Sequence, residues 1–201
     1  MKGLYLVTPD WDDTQALLAA SEAALKGGAT LLQYRHKTAS DALRREQAGA
    51  LLRLCRQHQV PFIINDHLEL CRELDADGLH VGGTDVSVAA VLAALGAEKI
   101  IGASCYGDLQ LARDAAASGA SYVAFGGFYP SRVKKYEVST PVDIVSRARA
   151  ELNVPVCVIG GMTSQNAVPL VKEGCDLVAA ISSVYQSDDP KKAAEAFASL
   201  F

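Results

Sequence analysis

Residues 31–37 read "LLQYRHK", an apolar start followed by Gln33, Arg35 and Lys37 at every second position. Alternation with a period of two is strand geometry, so these three side chains share one face. Two cations on a face that also carries core residues are costly unless that face opens onto a ligand or a counter-charge.

Working outward, the run begins at Ala29 ("ATLLQYR", 29–35), and seven similar runs recur. They are "GLYLVT" (3–8), "VPFIIN" (60–65), "DGLHV" (77–81), "KIIGAS" (99–104), "SYVAFG" (121–126), "VPVCVIG" (154–160) and "CDLVAAI" (175–181). Segments such as "TQALLAASEAALKGG", "SDALRREQAGALLRLCRQH" and "DLQLARDAAASGA" lie between them, with helical spacing of Ala and Leu and closing glycines. Eight strands alternating with eight helices, the last "PKKAAEAFASLF", predict one (β/α)₈ TIM barrel over residues 1–201. The helix from about His67 to Leu74 and the one over 85–95 are short, which keeps a doubly wound open sheet as the architectural alternative. Against that alternative, the first strand–helix connection reads "TPDWDD" and lacks a Gly-rich dinucleotide fingerprint.

The chain has 201 residues, half of them hydrophobic, and a formal net charge of −4. No global basic field points to nucleic acid, so a cation cluster here serves a small local anion. The five cysteines are odd in number and widely spaced, with no C-x-x-C pair, which fits reduced buried thiols and a cytoplasmic chain. The apolar run in "MKGLYLVTPD" is about five residues, too short for a signal-peptide core or a membrane span. The sequence leaves the oligomeric state open, a homo-oligomer included.

A barrel carries its chemistry at the C-terminal ends of its strands. Those ends supply Arg35 and Lys37; Asn65 and Asp66; Asp85; Ser104; Ser131, Arg132, Lys134 and Lys135; Gly160 and Gly161; Ser182 and Ser183. A planar guanidinium beside a mobile ammonium suits a diphosphate, although pairing with acidic neighbours explains Arg35 and Lys37 equally well in isolation. Asp66 and Asp85 follow successive strands and, with cations nearby, make a Mg²⁺ site of one or two carboxylates plus phosphate oxygens. Each is also a candidate helix N-cap. "GGFYPSRVKK" after strand six, "IGGM" after strand seven and "AISSV" after strand eight offer amides and hydroxyls for a second phosphate.

From "GLYLVT" through "LQYRHK", "INDHLELCRELDADGLHVGGTD", "GASCY", "AFGGFYPSRVKK" and "IGGMTSQN" to "AISSV", the chain resembles the thiamine phosphate synthase family. The resemblance implies transfer of an aminopyrimidine methyl group from its diphosphate to the nitrogen of a thiazole phosphate. Both substrates are small phosphorylated molecules, and neither a nucleic acid nor a membrane is implied as a partner. It assigns Gln33, Arg35, Lys37, Asn65, Ser104 and Lys134 to the pyrimidine diphosphate, with Arg35, Lys37 and Lys134 catalytic. Asp66 and Asp85 become the Mg²⁺ carboxylates. Ser131, Arg132, Val133, Gly161, Ile181 and Ser182 form the thiazole-phosphate subsite. Two positions depart from the family pattern. Val133 stands where a hydroxyl is usual in a T-x-T-K loop, and Gly83 stands where Gln is frequent.

The chemistry so implied needs no general base, which makes Cys105, Cys157, His58 and His67 poor catalytic candidates. Two other functions fit the same barrel: a thiazole tautomerase-like isomerase and a non-catalytic phosphate-ligand sensor. The isomerase is expected to carry His two residues after the strand-five Ser, where this chain has Tyr106.

Overall fold

The computed structural model describes residues 1–82, 87–130 and 140–201. Eight parallel strands close into a barrel in sequence order. They are β1 (Gly3–Val7), β2 (Ala29–Tyr34), β3 (Phe62–Asn65), β4 (Gly78–Val81), β5 (Ile100–Tyr106), β6 (Tyr122–Gly126), β7 (Val156–Ile159) and β8 (Leu177–Ala180). The ring closes where Leu4 pairs with Val178. All eight expected runs form strands, and the open-sheet alternative is excluded by this closure.

The helices are α1 (Thr14–Lys26), α2 (Asp41–His58), α3 (Leu68–Leu74), α4 (Val88–Leu95), α5 (Leu109–Ala117), α6 (Ile144–Glu151), α7 (Val168–Lys172), α8 (Ser182–Tyr185) and α9 (Pro190–Ala198). Side-chain oxygens of Asp13, Ser40, Ser87 and Asp108 accept amide N–H groups in the first turns of α1, α2, α4 and α5, satisfying donors that have no intrahelical partner. The sequence predicts eight helices, whereas the described residues contain a ninth, the one-turn α8. It escapes the periodicity because four residues cannot display a helical repeat.

Strand alternation sorts the core into two layers. Leu4, Leu6, Leu32, Ile64 and Val123 face outward into the shell shared with the helices. Tyr5, Val7, Leu31, Ile63, Tyr122 and Cys157 fill the barrel interior. Room for the Tyr122 ring comes from Gly102 on the neighbouring strand, where a Cβ would stand only 2.0 Å from the ring. Register between β5 and β6 shifts after Ser104, and Tyr106 takes a left-handed φ of 52°. Such an irregularity re-aims side chains at a strand end, and both Ser104 and Tyr106 turn to the same cavity.

Candidate active site

A cavity opens at the C-terminal ends of the strands. It is lined by Gln33, Arg35, Lys37, Asn65, Asp66, Ser104 and Ile181 among the expected site residues, together with Tyr5, His80, Tyr106 and Cys157. β2 ends at Tyr34, yet the alternation carries on past it, so Arg35 and Lys37 still face inward. Gln33 pairs in register with Ile63, which sets Asn65 beside Arg35 at the rim.

The cations are held by the β1–α1 loop. Thr8 accepts the Arg35 amide N–H at 2.8 Å and donates to the Arg35 carbonyl at 2.9 Å. Asp10 Oδ1 accepts the Lys37 amide N–H at 3.0 Å and lies 3.4 Å from the Arg35 guanidinium. That second distance is long for a charge-assisted bond. Arg35 is only 6% exposed, and a buried cation with one loose partner is a strong anion attractor. The alternative in which Arg35 merely pairs with acidic neighbours is therefore only partly met. His36, on the opposite face, is buried against Asp12 and takes no place in the cavity.

Asp66 does not cap α3. The N-cap position is His67, with no side-chain capping bond, and Asp66 adopts a left-handed φ of 62° that sets its exposed carboxylate on the cavity wall. Asn65 Nδ2 donates to Asp66 Oδ2 at 2.6 Å. A partly solvated carboxylate on a cavity wall shared with Arg35 and Lys37 is a hard oxygen donor of the kind Mg²⁺ takes. Asp85 and Gly83 lie outside the described residues, as do Ser131, Arg132, Val133, Lys134 and Lys135, so of the expected metal pair only Asp66 is described. Among the described residues no cluster of three or more metal-ligating side chains occurs. Gly161 and Ser182 follow β7 and β8 without lining the cavity. Gly161, at φ 63°, packs so closely on Pro130 that a Cβ would come within 2.4 Å of its carbonyl oxygen.

Below the cations the cavity floor is a polar chain that sequence reading missed. Gln33 Nε2 donates to Tyr5 Oη at 2.6 Å, Tyr5 Oη meets Tyr122 Oη at 2.7 Å, and Tyr122 Oη meets His80 Nδ1 at 2.9 Å. His80 Nε2 then meets Ser104 Oγ at 2.9 Å. Burial pushes both phenols far above their ordinary range, so they act as neutral hydroxyls. Burial likewise raises the Cys157 thiol well above its ordinary value, which removes it as a nucleophile although it lines the cavity.

The comparisons with known proteins decide the family. The family model described as thiamine monophosphate synthase matches residues 4–184. The chain belongs to the thiamine monophosphate synthase family. Among its relatives, a thiamine-phosphate synthase of Janthinobacterium sp. (strain Marseille) is 66% identical over 201 residues, covering 100% of this chain and 97% of the relative. That of Methylobacillus flagellatus is 48% identical, covering 100% and 96%. A solved thiamine phosphate pyrophosphorylase from Pyrococcus furiosus superposes with a TM-score of 0.87 at 29% identity, covering 98% of this chain and 94% of that one. As a member of this family the chain is a transferase of thiamine biosynthesis, and small phosphorylated substrates are consistent with its cation-lined cavity. Among the described residues, no helix is long and apolar enough to cross a membrane.

Proposed function

We propose that the cavity binds an aminopyrimidine methyl diphosphate and joins it to a thiazole phosphate, forming thiamine monophosphate and pyrophosphate. The observation that carries this reading is the emergence of Gln33, Arg35 and Lys37 on one wall of a cavity whose adjacent strand supplies Asn65 and Asp66. Arg35 and Lys37 bind the diphosphate, while Gln33 and Ser104 below them take the pyrimidine ring. In the reaction the carbon–oxygen bond to the diphosphate breaks, its electron pair leaves with pyrophosphate, and the ring's exocyclic amino group stabilises the cation. The thiazole nitrogen then donates its lone pair to that carbon. The chain's own contribution is electrostatic: fixed cations stabilise the charge growing on the leaving group, and no side chain must take a proton.

Mg²⁺ fits the exposed Asp66 carboxylate, with Asp85 as its expected companion, and when bound supplies further positive charge to the diphosphate oxygens. Ser131, Arg132, Val133 and Lys134, with Gly161, Ile181 and Ser182, are assigned to the thiazole phosphate and the far side of the diphosphate. Of these, Ile181 lines the cavity. An isomerase reading needs an imidazole free to move a proton. His80 is the imidazole that lines the cavity among the described residues, and both its ring nitrogens already meet hydroxyls.

The test is thiamine monophosphate formation from the two purified substrates, with and without Mg²⁺. Metal-dependent product is expected. Binding of either substrate without product would instead support a phosphate-ligand sensor.

A further inference from the structure

We propose that Tyr5, Tyr122 and His80 form a one-way hydrogen-bond chain that couples the orientation of the Gln33 amide to the proton on Ser104, making them positioning residues for the pyrimidine ring. The inference deepens the proposed function and rests on it for the identity of the ring.

The direction follows from counting protons. Gln33 Nε2 can only donate, so Tyr5 Oη accepts from it. The Tyr5 hydroxyl, 1% exposed, has one proton of its own, and the other oxygen beside it is Tyr122 Oη at 2.7 Å. Tyr5 therefore donates to Tyr122. Tyr122, fully buried, passes its proton toward His80 Nδ1 at 2.9 Å, which makes Nδ1 an acceptor. In a neutral imidazole the proton then resides on Nε2, which donates to Ser104 Oγ at 2.9 Å. Ser104 keeps its own hydroxyl proton for the cavity. At the other end, one of the two Gln33 N–H groups is committed to Tyr5, which fixes the amide plane, and Oε1 is the acceptor it offers a ligand.

The chain thus presents an acceptor at Gln33 and a donor at Ser104, the two ends of a five-group chain that both line the cavity. An aminopyrimidine offers the complementary pattern, an exocyclic N–H donor and ring-nitrogen acceptors. A pyrimidine with oxygen in place of the amino group offers an acceptor where Gln33 needs a donor. The raised phenol pKa values support a chain that transmits polarity rather than charge.

The primary test needs no substrate, so it stands or falls separately from the functional reading. Nitrogen NMR of the protein labelled at its four histidines, with the His80 signal assigned by its loss in His80→Asn, reads which ring nitrogen carries the proton. The wild-type protein should show the Nε2–H form. In Gln33→Glu, a carboxylate held ionised by the neighbouring Arg35 and Lys37 can only accept, which should reverse every bond and move the proton to Nδ1. Adding Tyr5→Phe to Gln33→Glu should abolish that reversal. An Nδ1–H form in the wild type, or an unchanged tautomer in Gln33→Glu, overturns the proposal.

The functional arm is Tyr122→Phe, with Tyr5→Phe as the substitute if the first does not fold. KM for the aminopyrimidine diphosphate should rise about tenfold, the worth of one well-placed hydrogen bond, while KM for the thiazole phosphate stays within about twofold. Equal changes in both KM values, or none, would show a merely structural role.

Discussion

Asp10 reaches from the β1–α1 loop to Arg35, with Oδ1 3.4 Å from the guanidinium, and the same oxygen accepts the Lys37 amide N–H at 3.0 Å. One carboxylate therefore fixes the backbone that carries both cations without tightly neutralising either. Removing it separates placement from charge.

Asp10→Ala should lower kcat/KM for the diphosphate substrate by about tenfold to a hundredfold, because the Lys37 amide loses its acceptor and the Arg35 guanidinium loses its carboxylate partner. Asp10→Asn retains an acceptor for the Lys37 amide and should lose less. Steady-state kinetics of the two variants check the ordering, and equal losses would mean that the charge on Asp10 matters rather than its geometry.

Gly102→Ala should destabilise the barrel by about 1–3 kcal/mol, the usual cost of overpacking a filled core. The added Cβ meets the Tyr122 ring at 2.0 Å. Denaturant unfolding measures the loss, and unaltered stability would mean that Tyr122 can move aside without penalty.

All five thiols should resist ionisation in the folded protein. Burial pushes Cys71 up to about 11 and Cys55, Cys105 and Cys175 to about 12, from an ordinary value of 9.0, and raises Cys157 further. A thiol whose folded pKa lies above its unfolded one stabilises the fold fully below pH 9, and the benefit is lost as pH rises from there through the folded values. Unfolding free energy should therefore fall between about pH 9 and pH 12, and native thiols should react slowly with a disulfide reagent at pH 8. Rapid modification of the native protein at pH 8 would contradict the burial argument.

Much of this arrangement is legible in the sequence, for a physical reason. Alternation marks the strands, and polar residues persisting on an inward face, as at Gln33, Arg35 and Lys37, mark where that face reaches the cavity. Asp66 was ambiguous between cap and ligand, and only its left-handed backbone separates the two roles. Tyr5, Tyr122 and His80 were hidden because "GLYLV", "SYVAF" and "GLHV" alternate as any core strand does. Their hydroxyls and ring nitrogens meet across 117 and 42 residues of chain, which no local pattern records. Asp10 was hidden similarly, since a loop carboxylate reveals its partner only when the next loop is folded against it. Asp85 and the strand-six residues Ser131, Arg132, Val133 and Lys134 remain assignments carried by the family resemblance.

The central claim is that Arg35 and Lys37 stabilise pyrophosphate as it leaves, and single-turnover kinetics at saturating substrate test it most directly. Arg35→Ala should slow the chemical step itself and weaken diphosphate binding, because negative charge on the leaving group is greatest after bond cleavage begins. Lys37→Ala should retain more activity, since an ammonium such as Lys134 can replace a point charge but not a bidentate fork. A wild-type single-turnover rate in both variants, whatever happens to their melting temperatures, would contradict the account.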